Sequence, residues 1–187
     1  LQVCEGQQHD MDFETREDVT LVEYIKMIDH KTAVLLGAAM KMGAIVAEAP
    51  ESDENKIYHF GRNLGIAFQL QDDYLDVFGN AETFGKQIGG DIISNKKTIL
   101  YLMATSQGSS AQAEELEHLF SINPIDPTDK ISTIKEIFLT SGAAEATREE
   151  IEKYSNHAFS LLESIAISEE KKEMLRNFGN SLMQRKV

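Results

Sequence analysis

Apolar residues recur along this chain at three- and four-residue intervals, and no stretch alternates convincingly at the period of two that a strand would show. The pattern predicts helices over residues 1–11, 21–29, 33–47, 53–78, 98–105, 111–120, 131–139, 142–166 and 168–183. Breaks between them carry turn chemistry: Pro50, Gly79-Asn80, Gly108-Ser109, Asn123-Pro124 and Asp126-Pro127. Thr20 followed by Glu23 is the signature of a capping box, and Ser52 or Asp53 is expected to cap the helix that runs to about Phe78. The expected architecture is all-α, one helical domain over residues 1–187.

Two of these stretches differ from ordinary amphipathic helices. Residues 33–47 are apolar on nearly every face and small at Gly37, Ala38, Ala39, Gly43 and Ala44, which predicts a buried, central helix that neighbours approach closely. In residues 61–79, at about 100° per residue, Gly65, Gln69, Asp72, Asp73 and Asp76 form one narrow stripe. Leu64, Ile66, Ala67, Phe68, Leu70, Tyr74, Leu75, Val77 and Phe78 occupy the rest of the circumference. A helix so apolar is expected inside the protein, with its acidic stripe lining a cavity. Desolvation and mutual repulsion would raise the pKa values of three such carboxylates unless cations met them. A hard divalent ion is the economical answer, and Mg²⁺ characteristically uses few carboxylates together with waters and substrate phosphates.

Composition narrows the picture. With 187 residues the chain can bury a substantial core. Its net charge of −13 argues against sequence-independent binding to nucleic acid or anionic membrane. An anionic ligand would therefore be attracted locally, by metal and a few lysines. Cys4 is the only cysteine, so no intrachain disulfide can form and a reducing, cytoplasmic setting is expected. The most apolar run, 32–49, is interrupted by Lys41 and Glu48 and falls short of a membrane span. Leu1 opens in mid-helix pattern with no cap before it, which suggests the C-terminal part of a longer protein.

Candidate cations flank the stripe. Lys31 stands where the apolar helix begins, and a lysine there needs an anion to offset its desolvation. Residues 81–94 read as a glycine-rich loop with Gly85, Gly89 and Gly90 around Lys86 and Asp91, suited to closing over a metal-bound anion. Its spacing is not that of a phosphate-cradling P-loop.

The ordered set Phe68-Gln69-x-x-Asp72-Asp73-x-x-Asp76, Gly85-Lys86-x-x-Gly89-x-Asp91 and Asn95-Lys96-x-Thr98 resembles the C-terminal portion of the trans-isoprenyl diphosphate synthases. Gly6-Gln7-x-x-Asp10 and Lys31-Thr32 match weaker family segments upstream. The resemblance implies a terpenoid-synthase-like helical bundle lacking its N-terminal helices. It implies condensation of isopentenyl diphosphate with an allylic diphosphate, with three Mg²⁺ ions between two aspartate-rich motifs and no protein general base. Asp72, Asp73 and Asp76 match the second of those motifs, Asp72 as direct ligand and the others as supports, with Asp91 organising the loop and its metal waters. Lys31, Lys86 and Lys96 match the diphosphate-binding lysines. Thr32 and Gln69 match polar groups near the carbocation, Phe68 lies by the isopentenyl site, Gln7 belongs to a cavity-side segment, and Arg185 and Lys186 resemble a closing basic tail.

The first aspartate-rich motif and the family's isopentenyl-binding groups are not among these residues, so the 187-residue chain is expected to be inactive by itself. The implied partners are isopentenyl and allylic prenyl diphosphates and, in the full-length protein, a second copy in a homodimer. Alternatives are a non-catalytic subunit of a heteromeric prenyl synthase and a class I terpene cyclase. The lysine motifs fit the cyclase poorly, and a non-catalytic subunit need not keep the aspartates. A di-iron bundle is excluded by the lack of suitably placed Glu-x-x-His pairs.

Overall fold

A computed structural model describes residues 1–80 and 88–184. They form the helices α1 (Gln2–Phe13), α2 (Leu21–Ile28), α3 (Val34–Val46), α4 (Glu51–Phe78), α5 (Gly90–Ile93), α6 (Ile99–Gln107), α7 (Ser110–Leu119), α8 (Thr128–Thr140), α9 (Ala143–Glu163) and α10 (Glu169–Met183). One turn of π-helix, Asp29–Ala33, joins α2 to α3. No strand occurs among the described residues, and the all-α expectation holds.

The helix starts follow local chemistry. Thr20 and Glu23 close the expected capping box on α2: the Thr20 amide and hydroxyl donate to Glu23 Oε2 at 2.9 and 2.8 Å, and the Glu23 amide returns to Thr20 Oγ1 at 3.2 Å. Ser109 and Gln112 build a second box on α7 that the sequence reading took only for a turn. At α4 the expectation fails. Asp53 does not cap the helix; its carboxylate takes the Lys56 ammonium at 2.9 Å and the Ala166 amide at 3.2 Å, while its own amide donates to Pro50. Glu51 and Pro50 therefore start α4 two residues earlier than predicted.

The chain divides into two compact units. Among the described residues, the first comprises 1–10, 25–69 and 150–184, and the second 11–24, 70–80 and 88–149. The first unit is cored by Ile57, Phe60 and Leu64 of α4 with Ala158 and Leu162 of α9 and Ile165, onto which Met40, Phe159 and Leu175 pack. Small residues set its closest approaches: a Cβ at Gly37 would meet the Tyr58 carbonyl at 2.7 Å, and one at Gly65 would meet Ala33 Cα at 2.6 Å. In the second unit α6 is buried over Ile99–Ala104 and packs on α7 and α8, and α5 also packs on α8.

The buried central helix expected at 33–47 is only half realised. Val34 and Gly37 are buried, but Leu35, Met42, Ile45 and Val46 are at least half exposed. Apolar composition gives a helix the capacity to be covered; coverage itself depends on neighbours, and among the described residues none reaches that face.

Candidate active site

In the first unit the candidate residues gather around the π-helical turn. α1 crosses this turn so closely that a Cβ on Gly6 would lie 2.7 Å from both His30 C and Lys31 Cα. Only glycine allows that approach, and it brings Asp10, one helical turn along α1, against Lys31: Nζ donates to Oδ2 at 2.5 Å. The anion that the sequence demanded for Lys31 is thus partly supplied by the chain. Both side chains keep about a third of their surface or less open to solvent, so the pair is not sealed. On the next residue, the Thr32 hydroxyl donates to Gln69 Oε1 of α4 at 3.3 Å, joining the two polar groups the motif had paired.

The turn is itself clamped. Asp29 is buried and receives Nε and Nη2 of Arg62 in a bidentate pair, which pushes the guanidinium pKa further up. Phe68 and Gln69 are half-buried, and Gln7 is exposed.

In the second unit the three aspartates are not equivalent. Asp73 is buried and accepts a short hydrogen bond from the hydroxyl of Tyr24, itself buried. Asp76 accepts the backbone amide of Asp91 at 2.9 Å through Oδ2, and its carbonyl receives the Gly89 amide at 2.6 Å. Asp91 in turn faces Lys96, Oδ1 to Nζ 3.6 Å. Asp72 and Asp76 are half-buried rather than fully withdrawn from water. The expectation of three buried carboxylates is therefore corrected to one, because the stripe's outer members lie toward solvent. Lys86, Arg185 and Lys186 lie outside the described residues.

Several participants carried no sequence signal strong enough to find them. The sequence singles out neither Tyr24 nor Arg62, and it offers Asp10 only as the last residue of Gly6-Gln7-x-x-Asp10. Asn95 read only as the residue before Lys96, although it adopts a left-handed conformation (φ 56°).

Hard carboxylate oxygens suit a hard cation. Among the described residues no three His, Cys, Asp or Glu side chains gather into a cage. The half-buried carboxylates of Asp72 and Asp76 are donors of the type that Mg²⁺ takes alongside its waters.

An all-helical fold carrying an Asp-Asp-x-x-Asp run on α4, with Asp91 and Lys96 close beyond it, defines the class of helical protein to which this chain compares. The chain belongs to the polyprenyl synthetase family: the family model described as Polyprenyl synthetase matches residues 1–138. It is 40% identical over 145 residues to a short chain isoprenyl diphosphate synthase of Methanothermobacter thermautotrophicus, covering 78% of this chain and 44% of that protein. Its fold matches the crystal structure of a geranylgeranyl pyrophosphate synthase with a TM-score of 0.92 and 48% identity, over 100% of this chain and 58% of that one. It also matches a geranylgeranyl pyrophosphate synthase from Corynebacterium glutamicum complexed with isoprenyl diphosphate and magnesium, at TM-score 0.89 and 26% identity, over 99% and 52% of the two chains. The chain thus spans about half the length of the relatives it matches.

Proposed function

We propose that this chain forms the second-aspartate-motif side of a head-to-tail prenyltransferase that condenses isopentenyl diphosphate with an allylic diphosphate in a Mg²⁺-dependent reaction. The supporting observation is the run of contacts from Asp76 through Asp91 to Lys96, which joins residues 20 positions apart into one acidic and basic cluster. Relatives that carry isoprenyl diphosphate synthase names and a neighbour complexed with isoprenyl diphosphate and magnesium support the same reading.

Asp72 would hold the cation, with Asp73, Asp76 and Asp91 orienting it and its waters. Bound there, Mg²⁺ supplies positive charge that stabilises the departing pyrophosphate. Lys31 and Lys96 bind and orient the diphosphate, and Lys86 is assigned the same role from its motif. Thr32 and Gln69 fix one another's rotamers and present oxygen dipoles to the allylic positive charge; Phe68 and Gln7 line the substrate. No side chain is assigned as general base, since the departing pyrophosphate can take the proton. Residues 1–187 act as one domain of a cytoplasmic, homodimeric enzyme in this reading. They hold a single aspartate-rich motif, so by themselves they should not turn over.

The test is label incorporation from isopentenyl diphosphate with Mg²⁺ and an allylic primer. The protein made from the whole reading frame should be active, and Asp72→Asn should lower its turnover by about 100-fold or more, the scale of losing one electrostatic stabiliser. Full activity in that variant would refute the metal assignment, and product from the 187-residue chain alone would refute the claim that it is incomplete.

A further inference from the structure

Lysine is almost never fully buried unless paired, yet Lys130 in the first turn of α8 is 4% exposed. Among the described residues no carboxylate pairs with it. Its ammonium donates to Asn95 Oδ1 and, at 2.9 Å, to the Ile122 carbonyl, and lies 5.8 Å from the centre of the Phe120 ring. Burial lowers its pKa with no ionic partner to restore it. An apolar side chain of equal length would fill the space without that desolvation cost. Bulk stability therefore does not account for a lysine here.

The group it grips occupies a demanding position. Asn95 ends the short helix α5 in the left-handed conformation. The Lys96 amide donates back to the Asp91 carbonyl at 2.9 Å and the Asn95 amide to the Ile92 carbonyl at 3.2 Å, which together form a Schellman motif. Glycine is the usual residue at such a point because it pays no steric penalty. Asparagine adds an amide, and both its ends are engaged: Oδ1 by Lys130, and Nδ2 donating to Asn123 Oδ1 at 2.9 Å. The next residue in α8, Ile131, braces the other end of the same segment, where a Cβ on left-handed Gly89 would stand 3.2 Å from it. The first turn of α8 thus supports both ends of the stretch that carries Asp91 and leads into Lys96.

We infer that Lys130 is a positioning residue: acting through Asn95, it fixes the Asp91–Lys96 segment in the arrangement that receives a metal-bound diphosphate. The inference rests on the reading of Asp91 and Lys96 given under the proposed function.

Two measurements on the protein made from the whole reading frame, each made on wild type, Lys130→Met, Asn95→Gly and the double variant, test it. One is amide hydrogen exchange; the other is titration with inorganic pyrophosphate in the presence of Mg²⁺. Lys130→Met should speed exchange of the Lys96 amide about tenfold or more while the Leu102 and Ile134 amides keep wild-type protection, and should weaken pyrophosphate about tenfold, and because the two residues act as one unit the double variant should bind no more weakly than Asn95→Gly alone. Unchanged Lys96 exchange overturns the inference. So does faster exchange with unchanged pyrophosphate affinity, or full additivity of the two substitutions. If wild type takes up no pyrophosphate, the assignment of Lys96 to diphosphate falls, and the exchange data alone decide whether Lys130 positions the segment.

Discussion

Gly6 offers the sharpest test of how the first unit is built, because its role is purely steric. Gly6→Ala places a methyl closest to the Lys31 backbone nitrogen and 2.7 Å from His30 C and Lys31 Cα, where ordinary contact begins at 3.4 Å, so α1 and the π-helical turn must part by more than 0.7 Å. The neighbours are backbone atoms and cannot rotate away. The same displacement carries the Asp10–Lys31 pair from 2.5 Å to about 3.2 Å, the outer limit of a good hydrogen bond. Overpacking of this kind costs about 3 kcal/mol, while replacing a helical glycine by alanine returns about 1 kcal/mol. The net loss of about 2 kcal/mol corresponds to a fall in Tm of about 4–8 °C for a chain of this size. Gly43→Ala is the control, since a Cβ there meets nothing within 4 Å. Only the intrinsic gain remains, and calorimetry should show Tm raised by about 1–4 °C. If both substitutions raise Tm, α1 does not cross the turn at Gly6 and the geometry described for Lys31 is wrong.

Tyr24→Phe removes one donor from the buried Asp73 carboxylate and should cost about 1.5–3 kcal/mol in urea unfolding, the range for hydrogen bonds to charged groups; a loss below about 0.5 kcal/mol would show that the hydroxyl is dispensable. Thr147 is fully buried in α9 and its hydroxyl meets no hydrogen-bond partner among the described residues, so Thr147→Val should raise stability by about 1 kcal/mol, and a loss of similar size would reveal a partner. Asp53 has its pKa held below 3.8, first by the Lys56 ammonium and also by the Ala166 amide. A depressed carboxylate contributes stability that is present above its unfolded pKa and is lost as pH falls through the folded value. Asp53→Asn should therefore lower Tm at pH 7, with the gap to wild type closing in acid below 3.8; a gap independent of pH would exclude the ionised carboxylate as the cause.

Helix order and most helix ends could be read from the sequence because they depend on residues near one another in the chain: apolar spacing, the Thr20–Glu23 box and the Gly79-Asn80 stop. What escaped depends on partners distant in sequence. Asp53 looked like a cap until Ala166, 113 positions away, claimed its carboxylate. The π-helical turn has no local signature, and Arg62 and Gly6 clamp it from outside. Residues 33–47 read as buried because apolarity is intrinsic while burial is relational. The motif residues were recognisable as a set, and the resemblance offers Asp72 as direct ligand with the others as supports, but nothing in Asp-Asp-x-x-Asp tells which carboxylate meets Tyr24 and which meets the Asp91 amide.

That division bears on how the acidic stripe functions. A carboxylate that accepts a buried hydroxyl is oriented by the fold, as Asp73 is by Tyr24. Asp76 spans between α4 and the start of α5, so its geometry is coupled to the segment that carries Asp91 and Lys96. Moving either partner alters the hydrogen bonds of the other. Such engagement restricts the freedom of the Asp73 and Asp76 carboxylates to reorganise.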